Sequence, residues 1–229
     1  MLLAAFPAGP LQANCYLVGD GSGGCVVVDP GMDAAGGVAE IVGQQGLTVE
    51  AVLVTHGHFD HMWSVREVAE THDVPVWIHP ADRHLLADPM AAISGESAAM
   101  LRSQLQLDDL PDFVEPADVR DAADGVVIEA AGLALTVHHV PGHTPGTVMY
   151  ETPYSGAENV SRVMFTGDFL FAGSIGRTDL TGGDHDAMTD SLRTRLLPLP
   201  DDVVVLPGHG PQSSVGRERA TNPFLADLA

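Results

Sequence analysis

The stretch VLVTHGHFDH, residues 52–61, is the one on which the reading of the chain turns. An uncharged run of Val and Leu reads as a buried strand, then stops, and three histidines and an aspartate follow within six positions. Side chains two apart on extended backbone point to the same side, so His56 and His58 can grip one ion. The turn through Gly57 and Phe59 carries Asp60 and His61 round to face a second. Neutral imidazoles and carboxylates suit zinc, iron or manganese, whereas calcium and magnesium prefer an all-oxygen shell. A solitary histidine is more often an ordinary surface or core residue, and His72, His79, His84, His138 and His185 are read that way. Three imidazoles this close repel when protonated and compete for partners when neutral, so the same reading fails for His56, His58 and His61. Asp60 can also cap a helix starting near His61, a role that does not exclude ligation.

Moving outward, the same local pattern recurs. VPGHTPG carries His143, FTGD carries Asp168 and LPGHG carries His209, each at the end of an apolar run beside glycine. Each residue is weak evidence alone; the weight lies in the repetition. Strand ends fix the bases of such loops, and glycines let the backbone bend until side chains converge.

Composition narrows the function classes. The 229 residues suit one domain over the whole chain, 1–229, large enough for a real core. Ten basic against 31 acidic residues give a net charge of −21, and all ten are Arg. Without lysine there is no Schiff-base chemistry, and the acidic surface argues against nucleic acid or anionic membrane as partners. The opening MLLAAFPAGPLQ lacks a basic segment and is interrupted by Pro7 and Pro10, so a secretory signal is not expected and the cytoplasm is the expected location. Cys15 and Cys25 sit in apolar runs with no neighbouring base and read as small core residues.

Short β-branched runs closed by Gly, Pro or Asp predict strands at NCYLV, CVVVD, AVLVT, VPVWI, VVIEA, LALTVHHV, TVMYET, RVMFT and VVVLP. Helices are expected over 33–46, 61–72, 185–197 and much of about 81–111, and a polar hairpin loop over 153–162. A strand-rich half, then helices, then a second strand-rich half suggests two packed sheets with helices outside.

HGHFDH, with PGHTPG, FTGD and PGHG following in order, resembles the metallo-β-lactamase-fold hydrolases, whose hallmark is HxHxDH. That resemblance covers nearly the whole chain and implies an α/β (α+β) four-layer αββα sandwich. It implies one divalent ion on His56, His58 and His143 and a second on Asp60, His61 and His209. Asp168 would bridge them, which makes Asp60 and Asp168 the carboxylates of the catalytic centre. Zinc is the first expectation, with iron or manganese as alternatives. Two ions about 3.5–4 Å apart can share a water and lower its pKa to about 7, giving a hydroxide that attacks a carbonyl.

GSIGRTDLTGGD (173–184) and the closing VLPGHGPQSSVGRERATNPFL are most similar to glyoxalase II-like thioesterases. Only residues 211–229 follow Gly210, too few for the C-terminal helical domain that long forms use to hold glutathione, so the short single-domain forms are the match. The implied substrate is a small-molecule thioester such as S-lactoylglutathione or an analogous thiol adduct. Arg177 aligns with a substrate-contacting basic residue of these proteins, or else pairs with Asp179 and shapes the loop. Asp29 and His139 are candidates to orient ligands through the far imidazole nitrogens, although each could equally be a strand-end turn residue. Persulfide dioxygenases share the fold, HxHxDH and a similar GRTD segment. They use one iron on the equivalents of His56, His143 and Asp168, and remain the alternative. The motifs give no positive support to a β-lactamase or lactonase.

Overall fold

The computed structural model describes residues 1–93, 99, 103, 113–154, 160–226 and 228. Two six-stranded sheets carry the chain, in the orders β1-β2-β3-β4-β5-β6 and β14-β13-β10-β9-β8-β7. In the first, β1 (Leu2–Ala8), β2 (Ala13–Gly19) and β3 (Gly24–Val28) are antiparallel. From β3 through β4 (Thr48–Leu53), β5 (Val76–Ile78) and β6 (Val119–Asp121) the pairing is parallel. The second sheet is built from β7 (Val127–Ala130), β8 (Leu133–His139), β9 (Val148–Pro153), β10 (Arg162–Gly167), β13 (Val204–Pro207) and β14 (Ser213–Ser214). A two-stranded hairpin, β11 (Leu170–Phe171) with β12 (Ser174–Ile175), follows β10.

The apolar runs lack a polar alternation because both faces of each sheet are covered. On β2 and β3 the side chains of Cys15, Leu17, Cys25 and Val27 point outward into a cluster with Val38 of α1 (Ala34–Gln45) and Val65 and Val68 of α3 (Val65–His72). Their neighbours Tyr16, Val18, Val26 and Val28 point the other way, onto Leu135, Val137, Tyr150 and Phe165 of the second sheet. The second sheet repeats the device: Met149, Met164 and Val205 face out onto Met188 of α4 (His185–Ser191) and Val215 of α5 (Val215–Thr221). Period-two alternation thus yields three apolar layers between four layers of structure, the expected αββα sandwich. Cys15 and Cys25 are free and fully buried.

Several expectations change. Residues 2–8 form a strand that was not anticipated; Pro7 sits near its end on a sheet edge, where a missing N–H costs little. Where a helix is expected over about 81–111, the described residues give single 3₁₀ turns at Arg83–Leu86 and Pro89–Ala92 and helical backbone at Ala99 and Ser103; nearly all of the remainder lies outside the described residues. Pro153 and Arg162 pair across β9 and β10 as the ends of a hairpin, while 155–159 lie outside the described residues. Helix α5 and the β11–β12 hairpin were not anticipated. No helix among the described residues is long and apolar enough to cross a membrane.

Strand direction positions the loops of interest. β10 runs parallel to β13 and antiparallel to β9, and β9 is antiparallel to β8, so β8, β10 and β13 end at one edge. His143, Asp168 and His209 follow those three ends, while Asp29 and His56 follow the ends of parallel β3 and β4. At this edge the sheets satisfy each other's terminal backbone groups: Val148 N–H donates to Thr55 O at 2.8 Å and Asn14 N–H to Gly208 O at 2.7 Å. The buried hydroxyls of Tyr16 and Tyr150 donate to Pro207 O at 2.7 Å and Val54 O at 2.9 Å.

Phe165 lies between the sheets, 1% exposed, edge-on to Tyr16 with ring centroids 5.3 Å apart. Phe165→Ala is expected to lower the unfolding free energy by about 3–5 kcal/mol in urea titration, since it removes a buried ring and leaves a cavity between the sheets. A loss below about 1 kcal/mol would mean that the sheets are not packed through this ring.

Candidate metal centre

The strand β4 runs out at Leu53, the chain bends at Thr55 and His56, and His58, with extended backbone, precedes the one-turn helix α2 (Phe59–Met62). Asp60 lies inside that turn, and the residue before it, His58, makes no side-chain cap, so Asp60 does not act as the helix cap. The side chains part into two groups. Candidate ligand atoms of His56, His58 and His143 lie within 4.8 Å of one another, as do those of Asp60, His61 and His209. Asp168 reaches both: Oδ1 is 3.3 Å from His61 Nε2, and Oδ2 is 3.7 Å from the Nε2 atoms of His143 and His209. His209 Nε2 is also 3.2 Å from Asp60 Oδ2.

The far side of each ring decides where its lone pair points. His143 Nδ1 faces the carbonyl of Arg177 at 2.8 Å, which only accepts, so Nδ1 carries the proton. His61 Nδ1 faces Asp29 Oδ2 at 3.1 Å and is protonated for the same reason. The Thr55 hydroxyl donates to Asp29 Oδ2 at 2.6 Å and so accepts from His56 Nδ1 at 3.1 Å. In His143 and His56 Nε2 is left as a bare acceptor turned inward, whereas His61 Nε2 faces Asp168 Oδ1 and His209 Nε2. Asp29 itself has φ +50°, which aspartate tolerates better than most residues, and it also accepts Thr55 N–H at 2.7 Å. A third trio, Asp29 with His56 and His61, also falls within 4.8 Å. There Asp29 already accepts three hydrogen bonds, and it serves as a brace.

Burial drives the electrostatics. It pushes His56 well down, aided by repulsion from His61, His143 and His58, and takes His58 down to about 3. Burial opposes the charge on Asp60 and Asp168, yet the surrounding imidazoles, His61 first, hold both carboxyls below the usual range. Burial also works against a charged His61, but Asp168 and Asp60 push it above its usual value. Two carboxylates therefore demand positive charge at a place where three further imidazoles must stay neutral.

The buried atoms left without a hydrogen-bond partner include Nε2 of His56, His58 and His143 and Oδ1 of Asp168. Such groups are costly to bury unless something satisfies them. A nitrogen-rich trio, a mixed nitrogen and oxygen trio and a shared carboxylate fit two ions of zinc, iron or manganese. Gly208 makes room for the set: a Cβ there would lie 2.2 Å from Asp168 Oδ1 and 2.6 Å from His61 Cε1.

Two other sequence candidates behave differently. His139 is not brought to the cluster; its Nε2 bonds Pro145 O at 2.9 Å and its ring stacks on His79 at 4.0 Å. The Arg177 side chain makes a bidentate exposed pair with Asp179, at 2.7 Å for each bond, while its backbone carbonyl serves His143. Thr55 and that carbonyl escaped the sequence reading, since a threonine at a strand end and a main-chain group leave no signature. Glu218 escaped it too. Buried in α5, it accepts Gly173 N–H at 2.7 Å and Asn222 Nδ2 at 2.9 Å, fastening the hairpin that leads to Arg177.

Residues 8–209 match the metallo-beta-lactamase superfamily, and the chain belongs to it. Its relatives include the hydroxyacylglutathione hydrolase GloC of Haemophilus influenzae, 32% identical with 98% of each chain covered. Among solved structures, the B3 metallo-beta-lactamase BLEG-1 is similar at 36% identity and a TM-score of 0.81, covering 98% of this chain and 99% of that one. The protein TTHA1623, solved in a di-iron-bound form, is similar at 38% identity and a TM-score of 0.76, covering 98% and 100%.

Asp29→Ala strips an acceptor from three buried donors, each costing about 1–3 kcal/mol when unsatisfied. Chemical unfolding of the metal-free variant is expected to show a loss of about 3 kcal/mol or more. Asp29→Asn, which keeps one carbonyl oxygen, is expected to lose less.

Proposed function

We propose that the protein is a binuclear metallohydrolase acting on a thioester of a small molecule. One observation carries the reading: buried nitrogens of His56, His58 and His143 and an oxygen of Asp168 meet without hydrogen-bond partners. His56, His58 and His143 would hold one ion, Asp60, His61 and His209 the other, and Asp168 would lie between them. Zinc is the expected metal, and iron gains support from the di-iron form of the similar TTHA1623. Bound divalent ions supply Lewis-acid polarisation of a carbonyl and a nucleophilic water at neutral pH.

The chain's own residues set the stage for that chemistry. Asp29, Thr55 and the Arg177 carbonyl keep protons on the outer nitrogens, so each inner nitrogen stays available. Covalent catalysis by cysteine has no support, since burial raises the Cys15 thiol well above its usual value and takes Cys25 up to about 11. The likeness to a hydroxyacylglutathione hydrolase favours a thioester substrate. Arg177, 61% exposed on the segment that supports His143, would meet a carboxylate of the thiol carrier. The −21 charge disfavours nucleic acid and anionic membranes as partners, and two free thiols suit the cytoplasm. A second reading, β-lactam hydrolysis, is favoured by the 36% identity to BLEG-1, so both substrate classes belong in the assay.

Elemental analysis of protein purified without oxygen or chelator is expected to give about two divalent ions per chain. About one iron and little else would turn the reading to the mononuclear dioxygenase. Asp168→Ala is expected to lose metal and thioesterase activity together; full activity with both ions bound would refute the bridging role. Arg177→Ala is expected to raise KM several-fold with kcat nearly kept, whereas unchanged kinetics would leave Arg177 as the partner of Asp179 alone.

A further inference from the structure

Beyond the donor set lies a further buried carboxylate. Asp82, 0% exposed, follows β5 in the segment HPAD, 79–82. Its Oδ2 accepts Gly57 N–H at 2.9 Å and the Thr144 hydroxyl at 2.6 Å, and its Oδ1 accepts Gly146 N–H at 2.8 Å. Every partner is a donor, so only an acceptor-only side chain satisfies all three. The approach is tight: a Cβ on Gly146 would lie 2.5 Å from Asp82 Cγ.

The position of these partners gives the contacts their meaning. Gly57 separates His56 from His58, while Thr144 and Gly146 belong to the turn that His143 opens. A single carboxylate therefore joins the two loops that bring these three imidazoles within 4.8 Å. Its hydrogen bonds reach neither Asp60, His61 nor His209. Asp29, by contrast, braces His61 directly and His56 through Thr55.

We infer that Asp82 is a positioning residue for the His56–His58–His143 trio, fixing its bite through backbone and hydroxyl and so governing how tightly that trio holds a divalent cation. This rests on the reading that the trio binds metal. The other trio should be indifferent to Asp82.

Cobalt(II)-loaded wild type, Asp82→Asn and Thr144→Val would be titrated with a chelator while cobalt absorption and metal content are followed. His58→Ala, which removes a ligand from one trio only, identifies the spectrum of the remaining ion. Asn keeps the volume but sets an NH2 against donors, and Thr144→Val deletes one of the three bonds. In Asp82→Asn the ion missing from His58→Ala is expected to leave about 10–100-fold more readily, with the other unchanged. Thr144→Val should shift the same ion by less, and it decides the matter alone if Asp82→Asn does not fold. Equal weakening of both ions would overturn the inference by making Asp82 a general structural residue. Wild type with two ions and identical variants would overturn it alone; wild type without cobalt would overturn the metal reading and this inference together.

Discussion

The arrangement of the strand ends answers to a single cost, that of taking imidazoles and carboxylates out of water and holding them within a few ångströms of each other. His56, His58, His61 and His143 are each 5% exposed or less. Such a cluster survives only if every outer atom has a partner and every inner atom has a common use. The first condition explains why so much surrounding chemistry is acceptor chemistry. Asp29, the Thr55 hydroxyl and the Arg177 carbonyl each accept a hydrogen bond from the back of a ring. The second condition is what divalent charge at the centre supplies.

Architecture enters because no single element can present these groups. One trio draws on the loop after β4 and the loop after β8, the other on α2 and the loop after β13, and Asp168 comes from β10. Both sheets contribute, so the ligand distances depend on how the sheets are registered. Buried hydrogen bonds from Tyr16 and Tyr150 cross that seam, and Val148 and Asn14 add main-chain links. The apolar layer between the sheets supplies the free energy, and these polar ties supply the alignment.

Much of this was legible because it follows from side-chain type and period. The β-branched runs predicted the inner strands, HGHFDH marked its own loop, and His143, Asp168 and His209 repeated a recognisable local context. Other features were hidden for physical reasons. β1 is an edge strand containing Pro7, and proline is depleted in strands generally, so its sequence carries no clear strand signal. β11, β12 and β14 are two residues each, too short for any period to show. Asp82 and Glu218 act through main-chain partners distant in sequence, and Thr55 links the distant Asp29 carboxylate to the His56 ring; such bonds leave no pattern in the chain itself. His139 shows the converse: adjacency to a ligand loop in sequence did not bring its ring to the cluster.

The separation in sequence between His61 and His209 is 148 residues, although their Nε2 atoms stand 3.2 Å apart. A chain growing from its N-terminus therefore displays the HxHxDH loop long before the final strand exists to complete the centre. Until residue 209 emerges, that loop lacks the partner that faces His61, and long-range pairing of this kind is intrinsically slow. The centre thus cannot close before residue 209 is made, and the order of synthesis itself sets when its two halves can first meet.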